Sequence, residues 1–587
     1  MSDLNVGAIH RDGRSSFRLY APDAAAADLV LPDRAHERRA MNRVDGGYFE
    51  LRATDLPPGT RYLLQTDAMD EARPDPASLW QPLGVHGYSV LVDADLFSRK
   101  QPDWRGLRLR DMVIYELHVG TFSAAGTFDG VAEHLPALLE LGVNAIELMP
   151  VNQFPGARNW GYDGVYWRAA QSSYGGPEGL VRLIDAAHEQ GIAVLIDAVF
   201  NHLGPEGNYL PQFGPYFTNK HPTPWGPAIN LDDRGADGVR ELILASAKTW
   251  LVDYGADGLR LDAVHALKDQ SATHILEELS EACARWSEQV GRPLTLIGEC
   301  DLNDPRFVRP RAKGGLGLDG QWVDEYHHAL RAYLTNETRG YYSDFGSAEV
   351  IERVLRDGYA YTGQHSPHRG RRFGRPPVGV SNHQFVVFGH NHDQVGNRAR
   401  GERLHEHLGE DQLIALAAMV LLSPFTPMLW MGEEYAEPAP FPYFVDHGDA
   451  QVLRATREGR VREFAAFVAP GERVPDPGLA ATFQSAKLSH RREGRVFDFY
   501  REAIALRREL WGGRAADIHA HGVRRERTSF TWTIPLAAEP RAVMVSVNLG
   551  AAPVRLTPKP TGTVKLDRGL AGETLSAWGV AVWLIEP

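Results

Sequence analysis

Eight short apolar runs recur between residues 112 and 434, and longer stretches with the spacing of helices separate them. Nearly continuous apolar character is typical of parallel strands that are covered on both faces. Eight β/α units over about four hundred residues predict a (β/α)8 TIM barrel with long insertions. A doubly wound open sheet is the alternative, but no glycine-rich phosphate-binding turn follows any of the runs. The runs are MVIYELHV (112–119), NAIELMPV (144–151), AVLIDAVF (193–200), GLRLDAV (258–264), LTLIGE (294–299), GQWVDE (320–325), QFVVFGH (384–390) and PMLWMGEE (427–434).

The segments on either side of these runs are rich in strand-like patterns. Before them, short alternating runs such as SFRLYAP (16–22) and RYLLQTD (61–67) are separated by Pro, Gly and Asp turns. After them, TSFTWTIP (528–535) and WGVAVWLIE (578–586) have the same character. We therefore predict an N-terminal β-sandwich over residues 1–95, a catalytic barrel over 96–514 and a C-terminal antiparallel β-domain over 515–587.

Composition narrows the classes of protein that this chain can be. Lys and Arg number 62 against 75 Asp and Glu, so no basic surplus exists to neutralise the phosphates of a nucleic acid. The two cysteines, Cys283 and Cys300, cannot form a disulfide framework and fit a reducing cytoplasm. The apolar window 413–431 is interrupted by Ser423, Pro424 and Pro427, which favours a buried helix, loop and strand over a membrane span. We expect a cytoplasmic protein without nucleic-acid or membrane partners.

Polar residues interrupt the predicted barrel strands at their C-terminal ends, the face on which barrel enzymes build their active sites. They are Asp197 and His202 at the third run, Arg260 and Asp262 at the fourth, Glu299 at the fifth, and residues 390–393 after the seventh. Four strands therefore direct carboxylates, imidazoles and one guanidinium toward a common mouth.

Carboxylates combined with His and Arg, without a His/His/carboxylate metal triad, indicate proton transfer and stabilisation of a cation. Glycoside hydrolysis needs one carboxylate at the oxocarbenium-like centre and a second one that protonates the leaving oxygen. Arg260 lies two residues before Asp262, so we expect it on the same strand face, where it keeps that carboxylate ionised. A single strand-end acid is more often a structural salt bridge, but three together at the ends of strands four, five and seven favour catalysis.

The segments DAVFNH (197–202), GLRLDAVH (258–265), LIGE (296–299) and HNHD (390–393) resemble the four signature regions of the α-amylase superfamily. The resemblance covers the whole chain, in order and in spacing. It implies that Asp262 is the nucleophile, Glu299 the general acid/base and Asp393 the third carboxylate that holds the distorted sugar ring. It further implies that the subsite of the cleaved sugar is lined by His202, Arg260 and His392, with Tyr162 of NWGYDGV (159–165) as its aromatic platform.

Longer segments, among them GPEGNYL (204–210), NHDQVGNRARGERL (391–404) and PFPYFVDH (440–447), are similar to the maltooligosyltrehalose trehalohydrolase family. That resemblance implies a retaining hydrolase that cleaves the α-1,4 bond next to the terminal trehalose of maltooligosyltrehalose. Two alternatives stay open. Glycogen branching enzymes share NWGYDGV and the N-terminal sandwich, and a noncatalytic α-glucan-binding protein can retain the scaffold after losing catalytic acids.

The loops after strands three, four, six and eight are placed to recognise the leaving trehalose unit. The candidate substrate-binding residues in them are Trp225, His265, Asp324, Glu325, His328 and Glu434. Trp225 is placed to stack on a glucose ring, with an anchor of its loop as the alternative.

Glu116, His118 and Asp197 are expected to support the barrel mouth rather than to contact substrate. We expect no cofactor and no metal, since no compact Asp-rich loop has the spacing of calcium ligands. The expected partners are maltooligosyltrehalose and α-1,4-glucan oligosaccharides. The resemblance also implies maltooligosyltrehalose synthase as a pathway partner, for which the sequence marks no interface.

Overall fold

Eight parallel strands close into a barrel, which confirms the predicted fold class. The computed structural model describes residues 6–98, 101, 103–224, 226–464, 473–514, 522–537, 539–557 and 561–586. The strands pair in sequence order, and the eighth pairs with the first. They are β1 Ile114–Leu117, β2 Ala145–Leu148, β3 Ala193–Ala198, β4 Gly258–Leu261, β5 Thr295–Glu299, β6 Gly320–Trp322, β7 Phe385–Phe388 and β8 Thr426–Trp430.

Most strands are shorter than the apolar runs that predicted them, because several runs continue into the loops at the barrel mouth. The run 320–325 contains β6 only as far as Trp322, and Asp324 already begins the helix Asp324–Thr335. Likewise β8 ends at Trp430, and Glu433–Tyr435 forms a 3-10 turn. The acidic residues of these two runs therefore lie beyond the strands, in a helix and a turn above the barrel.

Helices surround the barrel and bury their apolar faces against it. The described α-helices are Val119–Phe122, Phe128–Ala132, Leu135–Leu141, Gly176–Glu189, Leu210–Phe213, Ala236–Lys248, Ile275–Val290, Asp324–Thr335, Ala348–Asp357, His392–Gly396, Glu410–Leu421, Ala450–Phe464, Ala480–Ser485 and Arg495–Leu510. Three short strand pairs lie in the insertions: Asn152–Gln153 with Tyr166–Ala170, Phe217–Thr223 with Gly226–Ile229, and His365–Ser366 with Arg371–Arg372.

The apolar window 413–431 forms the end of the helix Glu410–Leu421, a loop and β8, as the sequence predicts. Its core residues Met419, Leu421 and Leu429 are fully buried. Within the described part of the chain, none of the helices combines the length and the hydropathy that crossing a membrane requires.

Two four-stranded antiparallel sheets form the predicted N-terminal sandwich. One contains Gly7–Arg11, Arg14–Tyr20, Tyr48–Ala53 and Asn42–Val44, and the other contains Glu37–Ala40, Ala27–Leu31, Arg61–Thr66 and Ser89–Val90. The hydroxyl of Tyr20 donates to the Gly235 carbonyl at 2.8 Å, and Arg168 donates to the Val6 carbonyl. These hydrogen bonds join the sandwich to the barrel.

The last sheet is antiparallel and six-stranded. Its strands are Arg524–Glu526, Ser529–Pro535, Ala542–Asn548, Val554–Arg555, Thr563–Ala571 and Thr574–Ile585. The indole of Trp532 donates at 3.0 Å to the carbonyl of Leu422, the residue that follows the helix Glu410–Leu421. The sheet therefore packs on the barrel, while the domain boundaries at residues 95 and 514 stay predictions.

Candidate active site

A cavity of about 470 Å³ opens at the C-terminal end of the barrel strands. It brings together seven of the predicted site residues. They are Tyr162, His202, Asp262, His265, Glu299, His392 and Asp393. Because parallel strands end at one rim, residues separated by more than two hundred positions meet there.

The fully buried guanidinium of Arg260 joins three carboxylates beneath this cavity. Its Nη1 lies 2.7 Å from Oδ2 of Asp197 and 2.8 Å from Oδ1 of Asp262, and its Nη2 lies 2.8 Å from Oε2 of Glu299. The indole ring of Trp322 covers the guanidinium at 4.2 Å. Burial acts to lower the pKa of Arg260, but the carboxylates, Asp197 first, outweigh it and hold the pKa well above its usual value. A permanent cation therefore lies between the two predicted catalytic acids.

The chain turns sharply after β4, and that turn positions Glu299. Ala263 adopts a left-handed conformation with φ +36°, which a residue with a side chain rarely adopts. Its N–H donates to Oε2 of Glu299 at 2.8 Å. Glu299 is thus held from two sides, while 18% of its side chain stays exposed toward the cavity.

A chain of hydrogen bonds links the opposite wall to the same cation. The hydroxyl of Tyr162 donates to Oδ2 of Asp197 at 2.6 Å and lies 2.8 Å from Nε2 of His392. Burial raises the pKa of Asp197 to about 7, although Arg260 opposes the shift. The tyrosine ring stacks on the imidazole with their centroids 5.3 Å apart. Tyr162 is therefore fixed in orientation at the floor of the cavity.

Two further carboxyl groups lie near Glu299. Asp393 leaves 37% of its side chain exposed and accepts a hydrogen bond from Nδ2 of Asn397 at 3.0 Å. Asp324 begins the helix after β6 and accepts from Nε2 of Gln394 at 3.2 Å. Burial, followed by the charges of Glu299 and Asp393, raises the pKa of Asp324 to about 8. Asp324 is not among the residues that line the cavity, although the sequence analysis expected it to bind substrate.

Comparison with known proteins agrees with this geometry. The family described as Alpha amylase, catalytic domain matches residues 97–220. The malto-oligosyltrehalose trehalohydrolase of Saccharolobus solfataricus is 44% identical over 494 residues, which are 84% of this chain and 85% of that protein. Its counterpart from Brevibacterium helvolum is 41% identical over 557 residues, or 93% of each chain. The chain belongs to the malto-oligosyltrehalose trehalohydrolase family.

A solved structure supports the same relationship. A crystal structure of a candidate alpha amylase from Salmonella typhimurium is 37% identical and superposes with a TM-score of 0.91. The match covers 99% of this chain and 100% of that one. As a member of the malto-oligosyltrehalose trehalohydrolase family with an alpha-amylase catalytic domain, the protein is a glycoside hydrolase.

Three of the substrate-binding candidates lie away from the cavity of this trehalohydrolase-family chain. Oε2 of Glu325 accepts the N–H groups of Ala360 at 2.8 Å and Tyr361 at 3.0 Å, so it holds the loop after a neighbouring helix. Glu434 is buried and accepts from the hydroxyl of Tyr115 at 3.1 Å. His328 packs in an aromatic cluster, and burial lowers its pKa to about 3. The structure does not bring these side chains to the cavity, and Trp225 lies outside the described residues.

Five cavity residues escaped the sequence analysis as site residues. They are Trp160, Asp163, Pro205, Ala263 and Tyr443. Trp160 and Asp163 lie close to Tyr162 in the segment NWGYDGV, so the same motif could have predicted them as site residues. Tyr443 comes from the loop after β8 and packs edge-on against Trp160, with ring centroids 5.0 Å apart. Its partner lies 283 positions earlier (443 − 160), and no local pattern marks such a contact.

Over the described ranges, no three or more His, Cys, Asp or Glu side chains are grouped so that they could hold a metal ion.

Replacing Arg260 by Gln should destabilise the folded protein, and the size of the effect should depend on pH. We expect Arg260→Gln to lower the free energy of unfolding by about 3–5 kcal/mol at pH 8, because buried carboxylates lose their only shared cation. The native-state pKa of Asp197 is raised above its unfolded value, so on acidification the native state takes up a proton before the unfolded state does. The loss of stability caused by Arg260→Gln should therefore shrink between pH 8 and pH 5. Chemical unfolding followed by tryptophan fluorescence measures both effects. Arg285→Gln, on an exposed helix face, is the control, and a deficit of Arg260→Gln that did not change with pH would contradict this account.

Proposed function

We propose that this glycoside hydrolase cleaves the α-1,4 bond next to the terminal trehalose of maltooligosyltrehalose and releases trehalose and a maltooligosaccharide. Membership of the trehalohydrolase family supports the choice of substrate. The observation that carries the chemistry is the sharing of one buried guanidinium by Asp262 and Glu299 at the floor of the cavity. Glycosidases use a pair of carboxyl groups at the scissile bond, and in retaining enzymes the two lie close together, as two groups that share one guanidinium do.

In the proposed reaction Asp262 attacks the anomeric carbon while Glu299 gives its proton to the glycosidic oxygen. The carbon–oxygen bond to trehalose breaks, and a covalent ester between the maltooligosyl unit and Asp262 forms. Glu299 then takes a proton from water, whose oxygen displaces the ester and restores both carboxyl groups. The hydrogen bond and ion pair from Arg260 orient the carboxylate of Asp262 for attack. A bound sugar excludes water from Glu299, and that loss of solvation favours the protonated acid.

The other cavity residues have binding roles in this proposal. Tyr162, stacked on His392, presents an aromatic face to the reacting sugar, and sugar C–H groups pack well on such faces. Asp393 accepts hydrogen bonds from hydroxyl groups of the distorted ring. His202 and His265 complete the two sides of the cleft around the scissile bond.

We also propose a cytoplasmic location, with substrate supplied by maltooligosyltrehalose synthase. Both cysteines are buried, and burial raises their thiol pKa values above the usual range, which suits a chain kept in reducing surroundings. The synthase is inferred from the chemistry of the substrate, whose trehalose end another enzyme must make.

Product analysis tests the proposed reaction directly. Incubation with maltooligosyltrehalose should release free trehalose and an equal amount of maltooligosaccharide, which anion-exchange chromatography separates. A parallel incubation with amylose and iodine separates the alternatives. A change of stain without trehalose would indicate a branching transferase, and no product from either substrate would indicate a binding protein; both results would contradict the proposal.

Replacing the proposed acid should abolish turnover while sparing affinity. We expect Glu299→Gln to lower kcat by about 10³-fold or more, because the sugar alkoxide is a poor leaving group without a proton. KM should change by no more than about threefold, since the cavity walls stay in place. Steady-state kinetics on maltooligosyltrehalose measures both constants. Asp301→Asn, two residues further on and exposed, is the matched control. Near-normal turnover of Glu299→Gln would mean that another group is the acid.

The preference for a trehalose leaving group should depend on His265 more than on His202. His265 lines the cavity on the turn after β4, and trehalose is a bent 1,1-linked unit that an extended maltose does not mimic. A site that hydrogen-bonds particular hydroxyls discriminates between such units. We expect His265→Ala to lower the ratio of kcat/KM for maltooligosyltrehalose to kcat/KM for plain maltooligosaccharide by about tenfold. His202→Ala should slow both substrates alike, and an equal effect of His265→Ala would remove it from substrate selection.

A further inference from the structure

Glu116 of β1 contacts the site from below, although the proposed reaction leaves it without a role. Its carboxylate receives both N–H groups of His392: the backbone N–H at 3.2 Å on Oε2 and the ring Nδ1 at 2.5 Å on Oε1. Both side chains are only 1% exposed. A carboxylate that binds one residue twice restrains both its position and its ring orientation.

The partners of the His392 ring determine how many protons it carries. Its other nitrogen, Nε2, lies 2.8 Å from the hydroxyl of Tyr162, and that hydroxyl gives its own proton to Asp197. The tyrosine oxygen is therefore an acceptor toward His392, and Glu116 is an acceptor at Nδ1. Only the doubly protonated imidazolium satisfies two acceptors at once.

The remaining groups around the ring agree with a cation. Burial and the charge of Arg260 act to lower the pKa of His392, but Asp393, with its Oδ1 3.5 Å from Nε2, and Glu116 outweigh them and raise it to about 10. The indoles of Trp160, Trp322 and Trp430 enclose the ring at centroid distances of 5.8–6.3 Å.

Two more titratable residues face this ring from β1 and β2. Glu147 pairs with Glu116 across the two strands, and burial followed by the Glu116 charge raises its pKa well above its usual value. Burial lowers the pKa of His118 to about 3, so this imidazole is neutral. Glu116 is the carboxylate that contacts His392 directly from below.

We propose that Glu116 is a positioning residue for the glycosidase reaction, which holds His392 as a permanent cation and through it fixes Tyr162 and Asp393 around the sugar. The inference rests on the proposed function. Because the tyrosine hydroxyl is held between His392 and Asp197, its ring cannot tilt away from the sugar. The cation also lies 3.5 Å from Oδ1 of Asp393 and so holds this carboxyl group beside the sugar.

Glu116→Gln tests the catalytic part of this inference. The amide keeps the shape of the side chain but removes the charge, so His392 should lose its second proton within the ordinary range for histidine, near pH 6.5. We expect the ratio of kcat/KM of the variant to that of the parent enzyme to stay level below about pH 5.5 and to fall at least tenfold by pH 8.5. A ratio that is independent of pH would overturn the proposal.

Two further variants separate the charge of Glu116 from its packing. Glu116→Asp keeps the charge in a shorter side chain, so any loss of activity should be the same at every pH. Glu433→Gln neutralises another buried carboxyl at the same end of the barrel, one that pairs with Tyr500, and should leave the pH profile unchanged. A pH-dependent loss in either variant would contradict the specific role of Glu116.

The protonation of His392 can also be read without any turnover. In the full chain labelled with ¹³C,¹⁵N-histidine, the His392 ring signal is the one that His392→Asn removes. We expect this signal to keep imidazolium shifts from pH 5 to pH 9 in the parent chain and to titrate near pH 6–7 in Glu116→Gln. Titration near pH 6.5 in the parent chain would overturn the inference, even if trehalose release had been demonstrated. If the parent chain did not act on maltooligosyltrehalose but its His392 signal stayed that of an imidazolium, the proposed substrate would be wrong and the inference about Glu116 would stand.

Discussion

The buried guanidinium of Arg260 is the interaction on which the rest of the barrel mouth depends. Asp197, Asp262 and Glu299 come from three successive strands, and each places a carboxylate oxygen within 2.8 Å of this one cation. Several carboxylates in a site with little water repel one another, and each alone would shift toward its neutral form. A cation that carries its charge at every accessible pH, covered by the Trp322 ring, allows the acids to lie close together.

A second cation completes this arrangement on the opposite wall. His392 joins β1 through Glu116 and joins Arg260 through Tyr162 and Asp197, so a continuous set of hydrogen bonds crosses the barrel interior. At the edge of this network Ala263 takes a left-handed conformation and directs its N–H to Glu299.

The residues near the predicted acids show which side-chain positions a local sequence pattern can predict and which it cannot. Tyr162, His202 and His265 stand in motifs with a clear sequence signature, and all three line the cavity. Glu325 and Asp324 are adjacent in the chain, yet Asp324 faces Glu299 and Glu325 turns back to bind the loop at Ala360. The first turn of a helix separates neighbouring side chains by about 100°. Where such a helix points is set by the packing of its whole length, which a short motif does not record.

The sequence alone determined the barrel, the flanking β-rich units and the group of acids at the strand ends, because period and strand-end position are local properties of the chain. It also indicated that Asp197 supports Arg260, which their 2.7 Å hydrogen bond confirms. Only the tertiary structure decided that Glu116 holds His392, that Tyr443 lies against Trp160, and that Glu434 points into the protein. Each of these contacts joins residues hundreds of positions apart, and its geometry follows from how the closed barrel brings distant strands and loops together.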